Sequence, residues 1–384
     1  MRFLIYLIIF FAFFDLFAQL PIMSPYAISL GATPFLTGLV IGMYSLSNTF
    51  GNILSGIFTD RKGPFLVLVL GLLGSGAMLF TYSLADSPAS LLLIRFLHGL
   101  ASGLIVPAAF TYLANRTEKS KRGKGSAISG AFVGMAAILG PAFGAIYASR
   151  TSTPDTMMVI GTFLLALGLL AIFILRKTII QKGSRIDSRL PFQQLLRNRG
   201  LMQAFSGAFF LMFSQGVLAY MLPLKVSGLG YAAEMSGLLL STFGVAAILV
   251  FLLPVNRIFD VAKPQYTLIA GLVIMASSLF VLSAAAPAWL LYFTMSTYGI
   301  GFAFLFPSIN SLLVDSTRPS SRGRAYGYFY AFFSLGVVAG SSITGALGVD
   351  AAGGFMLSGS VLLTLAFVNS LLLRAGKAKT SALD

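Results

Sequence analysis

Polar residues divide this sequence into twelve long apolar runs, and this pattern limits the fold more than any other feature. A helix needs about 20 predominantly apolar residues to cross a bilayer. Charged residues make up only 10% of the chain, whereas soluble domains carry about 25%. We therefore predict an all-α membrane protein with twelve transmembrane helices, at residues 3–28, 36–58, 65–84, 89–114, 125–148, 156–175, 201–222, 235–255, 266–285, 287–314, 325–348 and 354–373.

The basic residues predict how these helices are oriented. An even number of spans places both termini on one side of the membrane, and 23 of the 26 Lys and Arg residues fall in the loops and termini of that side. Basic loops are retained in the cytoplasm. We expect a cell (inner) membrane protein with cytoplasmic termini. Its net charge of +15 then serves topology and contact with anionic membrane lipids, and no nucleic acid partner is expected.

The composition also argues against several kinds of chemistry. The chain has no cysteine and one histidine, so neither a thiol metal site nor a nucleophile–histidine–acid set is expected. No G-x-x-x-x-G-K-[ST] loop occurs, which argues against an ATP-driven pump. The sequence predicts neither an enzyme nor a cofactor or metal.

The second half of the chain repeats the first at a single offset of 200 residues. This ungapped register predicts two pseudo-symmetric six-helix bundles related by an axis along the membrane normal, with a solute site between them. The predicted bundles are residues 1–175 and 201–374, joined by a cytoplasmic linker at 176–200 that can form a short interfacial helix, and followed by a tail at 375–384. The matching pairs include Asp60 with Asp260, Pro64 with Pro264, Gly99 with Gly299, Pro107 with Pro307, and Gly140 with Gly340.

A short motif follows the second span, at residues 56–63, and reads Gly-Ile-Phe-Thr-Asp-Arg-Lys-Gly. It resembles the loop between helices two and three of the major facilitator superfamily, G-x-x-x-D-[RK]-x-G-[RK]-[RK]. A carboxylate in this loop can bind the free N–H groups at a neighbouring helix start. We predict a cytoplasmic gate that breaks when that side opens, although a solvated turn that only sets topology is the alternative. The predicted gating residues are Gly56, Asp60, Arg61, Gly63, Asp260 and Arg322.

Three further segments resemble motifs of the same superfamily. Residues 95–103 of helix four resemble R-x-x-[QH]-G-x-x-x-[GA], and residues 140–144 of helix five resemble the antiporter motif G-P-x-x-G. Helix one carries Asp15, Pro21, Pro25 and Tyr26, similar to the pattern of drug:proton antiporters. The resemblance is to the twelve-span drug/metabolite:proton antiporter branch and implies a working monomer. Small residues of these motifs allow close helix packing, and the predicted packing residues are Gly99, Gly103, Gly140, Pro141 and Gly144.

Asp15 and Arg95 are the clearly ionisable side chains inside the predicted spans. A charge inside a bilayer is costly and marks a functional site. Burial disfavours the carboxylate whereas a nearby guanidinium favours it, so their separation can control proton binding. The alternative is a fixed ion pair, or Arg95 bonded to carbonyls as a helix clamp. His98 lies one turn from Arg95 and is a third proton-coupling candidate, or else a hydrogen-bonded packing residue.

The remaining polar residues of the spans predict the solute cavity. An aromatic-rich cavity with few charges suits a lipophilic or amphipathic small molecule. We predict a secondary active transporter that exports such molecules in exchange for protons by alternating access. A proton-coupled importer or facilitator of a sugar, organic acid or nucleoside is a second hypothesis, and a non-transporting sensor or scaffold a third. The predicted cavity residues are Gln19, Asn48, Asn52, Gln215, Tyr220 and Asn310.

Overall fold

The computed structural model describes residues 2–115, 122–175, 198–252, 258, 262–316 and 322–380. Within these ranges every regular element is a helix. We number the α-helices in chain order: α1 (Arg2–Ala18), α2 (Met23–Ser29), α3 (Pro34–Lys62), α4 (Pro64–Phe80), α5 (Pro88–Ser102), α6 (Ile105–Asn115), α7 (Arg122–Arg150), α8 (Thr153–Leu175), α9 (Arg199–Gly228), α10 (Glu234–Leu252), α11 (Pro264–Ala284), α12 (Ala288–Asp315), α13 (Arg322–Leu347) and α14 (Ala351–Thr380). The 3-10 turn Thr81–Leu84 extends α4.

Each predicted span coincides with one of these helices or with a consecutive pair. Nine helical segments in the described ranges are long and apolar enough to cross a membrane, and the bent pair α1 and α2 makes a tenth. The other two predicted spans correspond to α3 and to α10, whose apolar part is shorter. Helix α3 carries Asn48, Asn52 and several serines, which lowers its hydropathy. The chain is thus a multi-pass membrane protein.

Two spans that the sequence predicted as continuous are broken. The first bends by 49° between Ala18 and Met23, because Pro21 has no N–H to continue the ladder and its ring clashes with the preceding turn. The fourth breaks at residues 103–104. Here Pro107 cannot donate to the carbonyl of Gly103, four residues earlier. These breaks are corrections to the predicted ranges 3–28 and 89–114.

The described residues form two compact units. The first contains the described residues up to 175 together with Leu222–Ser241 and Ser341–Gly348. Within it α1 packs on α7, α3 on α5, and α4 on α8. The two later segments join this unit through small residues: Gly237 lies against the carbonyl of Pro141, and Gly345 against that of Pro34. The sequence had assigned both segments to the second bundle.

The second unit contains residues 198–221, Thr242–Gly340 and the described residues from 349 onward. Helix α11 packs on both α12 and α14. The repeated glycines of the two units make similar contacts. Gly99 faces the carbonyl of Tyr44 in the first unit, and Gly299 faces that of Phe243 in the second. Helix α14 continues into the predicted tail as far as Thr380. The predicted linker lies outside the described residues except for 198–200.

Candidate functional site

Helix α1 ends next to the first buried carboxylate of the site. Asp15 is fully buried and lies one turn before Gln19, where the first span breaks. The Gln19 amide nitrogen Nε2 donates to Asp15 Oδ1 at 2.8 Å and to the Asp15 carbonyl at 3.0 Å. The break therefore brings a side-chain donor to the carboxylate, and a hydrogen bond of this kind stabilises its charged form.

Arg95, on α5, does not contact Asp15 directly. Its Nε donates to the carbonyl of Val40 at 3.0 Å and one terminal nitrogen donates to that of Ile41 at 3.0 Å, both on α3. Its other terminal nitrogen donates to Gln19 Oε1, and the guanidinium lies 5.1 Å from the centre of the Tyr44 ring. Gln19 thus bridges Asp15 and Arg95. Arg95 also binds two backbone carbonyls of α3.

His98, one turn after Arg95, faces the other carboxylate oxygen. Its Nε2 lies 3.2 Å from Asp15 Oδ2 and 3.2 Å from the hydroxyl of Ser75. On the opposite side of the ring, Nδ1 lies 3.1 Å from the hydroxyl of Tyr82. His98, Asp15, Ser75 and Tyr82 are all fully buried. The histidine therefore belongs to a polar network that begins at Asp15 and ends at Tyr82.

The sequence singled out Asp15, Arg95 and His98 but not the residues that connect them. Gln19 was predicted to line the solute cavity, whereas both ends of its amide are engaged in the buried network. Its spacing of four residues from Asp15 could have predicted this contact. Ser75 and Tyr82 lie on the third span, and no local signal relates them to helix four because only packing brings them together.

The second unit has no equivalent network among its described residues. At the repeat offset of 200, Asp15 corresponds to Gln215, Arg95 to Met295 and His98 to Tyr298. Tyr298 is buried, shares a hydrogen bond with Ser214 and packs edge-on against the ring of Phe243. The two halves therefore differ at these positions, because the first carries Asp, Arg and His where the second carries Gln, Met and Tyr.

The predicted gate is described only in part. Gly63 ends α3 at a positive φ of 82°, a conformation that glycine adopts without strain, and α4 begins directly after it at Pro64. Gly56 faces open space. The side chains of Asp60, Arg61 and Arg322, and all of residue 260, lie outside the described residues. The contacts proposed for these charges remain a prediction.

The predicted packing residues all lie where helices meet closely. A Cβ on Gly99 would collide with Tyr44 and Ser47, and one on Gly103 with the carbonyl of Asn48. A Cβ added to Gly140 would come within 2.9 Å of the Phe17 Cβ, one on Gly144 would collide with the carbonyl of Ala18, and Pro141 receives Gly237 at its carbonyl. These positions fix α5 on α3 and α7 on α1, which holds the elements of the polar network in place.

The other predicted cavity residues divide between the two units. In the first, Asn52 Nδ2 donates to Asn48 Oδ1 at 2.9 Å, and Asn48 Nδ2 donates to the carbonyl of Gly99 at 3.4 Å. In the second, Asn310 donates to the carbonyl of Phe306 at 3.0 Å, and Tyr220 is buried. The amide nitrogen of Gln215 is buried without a hydrogen-bond partner. Their joint role in a cavity remains a prediction.

Comparison with known proteins places this geometry in context. A family model described as Major Facilitator Superfamily matches residues 5–264 and 204–383. The multidrug resistance protein MdtG of Klebsiella pneumoniae is 27% identical over 91% of this chain and 86% of its own length, and the MdtG of Enterobacter lignolyticus is 27% identical over 84% and 80%.

Solved structures give the same picture of the fold. A mutant of the nucleoside transporter NupG superposes with a TM-score of 0.83 at 15% identity, covering 96% of this chain and 99% of that one. A bacterial homologue of the lysosomal transporter Spinster, described as inward-facing and occupied, superposes with a TM-score of 0.80 at 13% identity, covering 97% and 96%. At these identities the likeness shows a shared fold and nothing about substrate.

Proposed function

Because the chain belongs to the Major Facilitator Superfamily, we propose that it is a proton-coupled exporter of small lipophilic or amphipathic molecules that works by alternating access. The chain is a membrane transporter and not an enzyme. We further propose that it acts as a monomer in the cell (inner) membrane with both termini in the cytoplasm. The basic residues, 23 of 26 on one side of the predicted spans, support this orientation.

The observation that carries the proposal is the buried contact between Asp15 and His98, at 3.2 Å. The pair can hold a proton inside the membrane without exposing it to lipid or bulk water. Arg95 keeps its charge because a guanidinium does not lose its proton in proteins. Proton binding therefore changes the charge of the site by one unit while the guanidinium remains constant. The names of the relatives, multidrug resistance proteins, support export of lipophilic compounds.

Protonation would act on helix packing through Gln19. As long as Asp15 is a carboxylate, the Gln19 amide donates to a charged acceptor, and such bonds are about twice as strong as neutral ones. The same amide accepts from Arg95, which holds two carbonyls of α3. Neutralising Asp15 would weaken the connection between α1 and the α3–α5 pair. We propose that this change couples proton binding to the alternating conformations.

Transport in inside-out membrane vesicles tests the proposal. With a pH gradient that is acid inside, an exporter in proton exchange should accumulate ethidium, tetraphenylphosphonium or Hoechst 33342. Asp15→Asn should abolish this accumulation because the amide cannot take up the proton. Asp155→Asn is the matched control, since Asp155 lies at the start of α8, where it accepts from Ser152, away from the network.

The alternatives give different results in the same vesicles. An importer would move its solute outward from vesicles under this gradient, and sugars, organic acids and nucleosides would be the substrates to include. A sensor or scaffold would show no flux of any probe. Full pH-driven transport by Asp15→Asn would rule out the proton role of Asp15.

Two further parts of the proposal concern the predicted gate and the predicted solute cavity. We propose that Asp60 and its repeat counterpart Asp260 hold the cytoplasmic side closed against helix starts, with Arg322 marking one of these starts. We also propose that Asn48, Asn52, Gln215, Tyr220 and Asn310 supply the few polar contacts of a largely aromatic cavity. A probe with a flat aromatic body and a single polar group fits such a lining better than a polyanion.

A further inference from the structure

The polar network around Asp15 extends through His98 to Tyr82, next to the loop between α4 and α5. Tyr82 lies in the 3-10 turn Thr81–Leu84 at the end of α4, and the following residues Ser83 and Leu84 are exposed. The Tyr26 hydroxyl donates to the Tyr82 carbonyl at 2.7 Å and holds the turn in place. We propose that Tyr82 and His98 form the path by which protons from this loop reach Asp15. This inference rests on the proposed proton coupling.

The geometry provides partners for His98 in both of its relevant protonation states. In the neutral ring with the proton on Nε2, that nitrogen shares a hydrogen bond with the Ser75 hydroxyl at 3.2 Å and lies 3.2 Å from Asp15 Oδ2, and the Tyr82 hydroxyl donates to Nδ1 across 3.1 Å. In the imidazolium both nitrogens are donors. The Tyr82 oxygen then accepts from Nδ1, because a hydroxyl rotates freely between donating and accepting. Neither state leaves a ring nitrogen without a partner.

The loading step needs a hydronium ion from the aqueous phase at the loop and an opening of the turn that admits water to the Tyr82 hydroxyl, which is buried in this structure. The Tyr82 hydroxyl transfers its proton to His98 Nδ1 while its oxygen takes a proton from the hydronium ion, which leaves as water. Tyr82 ends neutral, as it began. His98 passes its Nε2 proton to Asp15 Oδ2, 3.2 Å away, and ends neutral with its proton on Nδ1. Asp15 has then gained one proton and lost its negative charge, and no other group has changed charge.

The charged and titratable groups around His98 favour this route. Asp15 faces it from α1, Tyr82 from the end of α4, and the ring of Tyr44 packs on it from α3 at 5.1 Å. Arg95 lies on the same helix as His98, but its nitrogens are engaged by Gln19 and two carbonyls. Arg95 therefore makes no direct contact with Asp15, whose Oδ2 lies 3.2 Å from His98 Nε2. Tyr82 is the network member next to exposed residues in the chain.

His98 is the only histidine of the chain, so histidine labelled with ¹⁵N gives one ring signal pair in protein purified without a histidine tag. We expect the Nδ1 resonance to report the hydrogen bond with the Tyr82 hydroxyl. Tyr82→Phe should shift the Nδ1 resonance and slow its proton exchange. Tyr298→Phe is the matched control, because it removes one buried hydroxyl in the second unit and should leave both signals unchanged.

Transport separates a proton path from a purely structural role. Ethidium exchange at equal pH needs no net proton movement, whereas pH-driven ethidium transport does. Tyr82→Phe should slow pH-driven transport by about tenfold or more, within the range of lost proton-transfer groups, and leave exchange at the wild-type rate. If Tyr82→Phe slows ethidium exchange and pH-driven transport equally, the proposed path is wrong. It is also wrong if neither process slows and the Nδ1 signal does not shift.

The Asp15→Asn variant keeps this test distinct from that of the proposed function. If Asp15→Asn stops pH-driven transport but Tyr82→Phe does not, the path through Tyr82 is wrong and the coupling site stands. If Asp15→Asn transports as wild type does, the coupling site itself is wrong. If ethidium is not moved by the wild type, the nitrogen signals decide, and unaltered His98 ring-nitrogen signals in both Asp15→Asn and Tyr82→Phe refute the path.

Discussion

Replacing Gln19 by leucine is expected to slow pH-driven transport, because Gln19 is the side chain that connects Asp15 on α1 with Arg95 on α5. The substitution removes the donor that lies 2.8 Å from Asp15 Oδ1 and keeps a side chain of similar volume. A hydrogen bond to a charged group contributes about 1.5–3 kcal/mol. About 1.4 kcal/mol of activation free energy corresponds to a tenfold change in rate, so loss of the bond should slow pH-driven transport by about tenfold or more.

Two further variants separate this effect from general damage. Gln19→Leu also leaves a terminal nitrogen of Arg95 without its acceptor, which we expect to destabilise the protein by about 1–3 kcal/mol. Gln19→Glu restores an acceptor for Arg95 but brings no amide donor to Asp15, so it should slow pH-driven transport with less loss of stability. Gln203→Leu is the control, because Gln203 donates to Asn369 at 3.0 Å in the second unit.

The assay is pH-driven ethidium transport in proteoliposomes, with thermal unfolding in detergent as the measure of stability. Both Gln19 variants should slow pH-driven transport, whereas Gln203→Leu should leave it at the wild-type rate. Wild-type transport by both Gln19→Leu and Gln19→Glu would refute the claim that the Gln19 bridge between Asp15 and Arg95 is needed for coupling.

Two other substitutions test the packing and the loop. Gly99→Ala should impair pH-driven transport because a Cβ there meets Tyr44 backbone atoms, including its carbonyl carbon at 3.0 Å, and we expect a cost of about 1–3 kcal/mol in thermal unfolding. Gly228→Ala, in open space at the end of α9, should match wild type in both assays. The pKa of Asp86 lies below its ordinary value of 3.8 because its carboxylate accepts hydrogen bonds, of which that from Ser90 has the largest effect. Wild type should therefore be more stable than Asp86→Asn above pH 3.8, and the difference should vanish as pH falls through the lowered pKa; a difference that persists in acid contradicts this assignment.

Hydropathy predicted the nine described membrane-spanning segments and the bent first pair, because a lipid solvent requires long apolar segments whose backbone groups are satisfied internally; α3 and α10 meet this criterion less well. The repeated glycines also lie at helix contacts, as Gly99 meets the carbonyl of Tyr44 and Gly299 that of Phe243, one residue away from the offset of 200. The break in the first span was not predicted. Its proline was noted as part of a motif, but whether a proline bends a helix or interrupts it depends on neighbouring packing.

The charged residues of the candidate site were predicted from the sequence, but the side chains that connect them were not. Asp15 and Arg95 stand out because ionisable residues are costly inside a membrane. A direct ion pair was one expectation, whereas Gln19 lies between them. The partners of His98 on α4 are separated from it by 16 and 23 positions in the sequence. Contacts of that kind depend on how α4 and α5 pack, which no pattern within one helix encodes.

Counting the protons released when a solute binds is the most direct measurement of the central claim, that the Asp15–His98 pair holds the coupling proton. Calorimetric titration of ethidium into the purified protein, repeated in buffers of different ionisation enthalpy, gives this number. By linkage between the two sites, the account predicts release of about one proton by wild type and none by Asp15→Asn. Equal proton release by the two proteins would contradict the account.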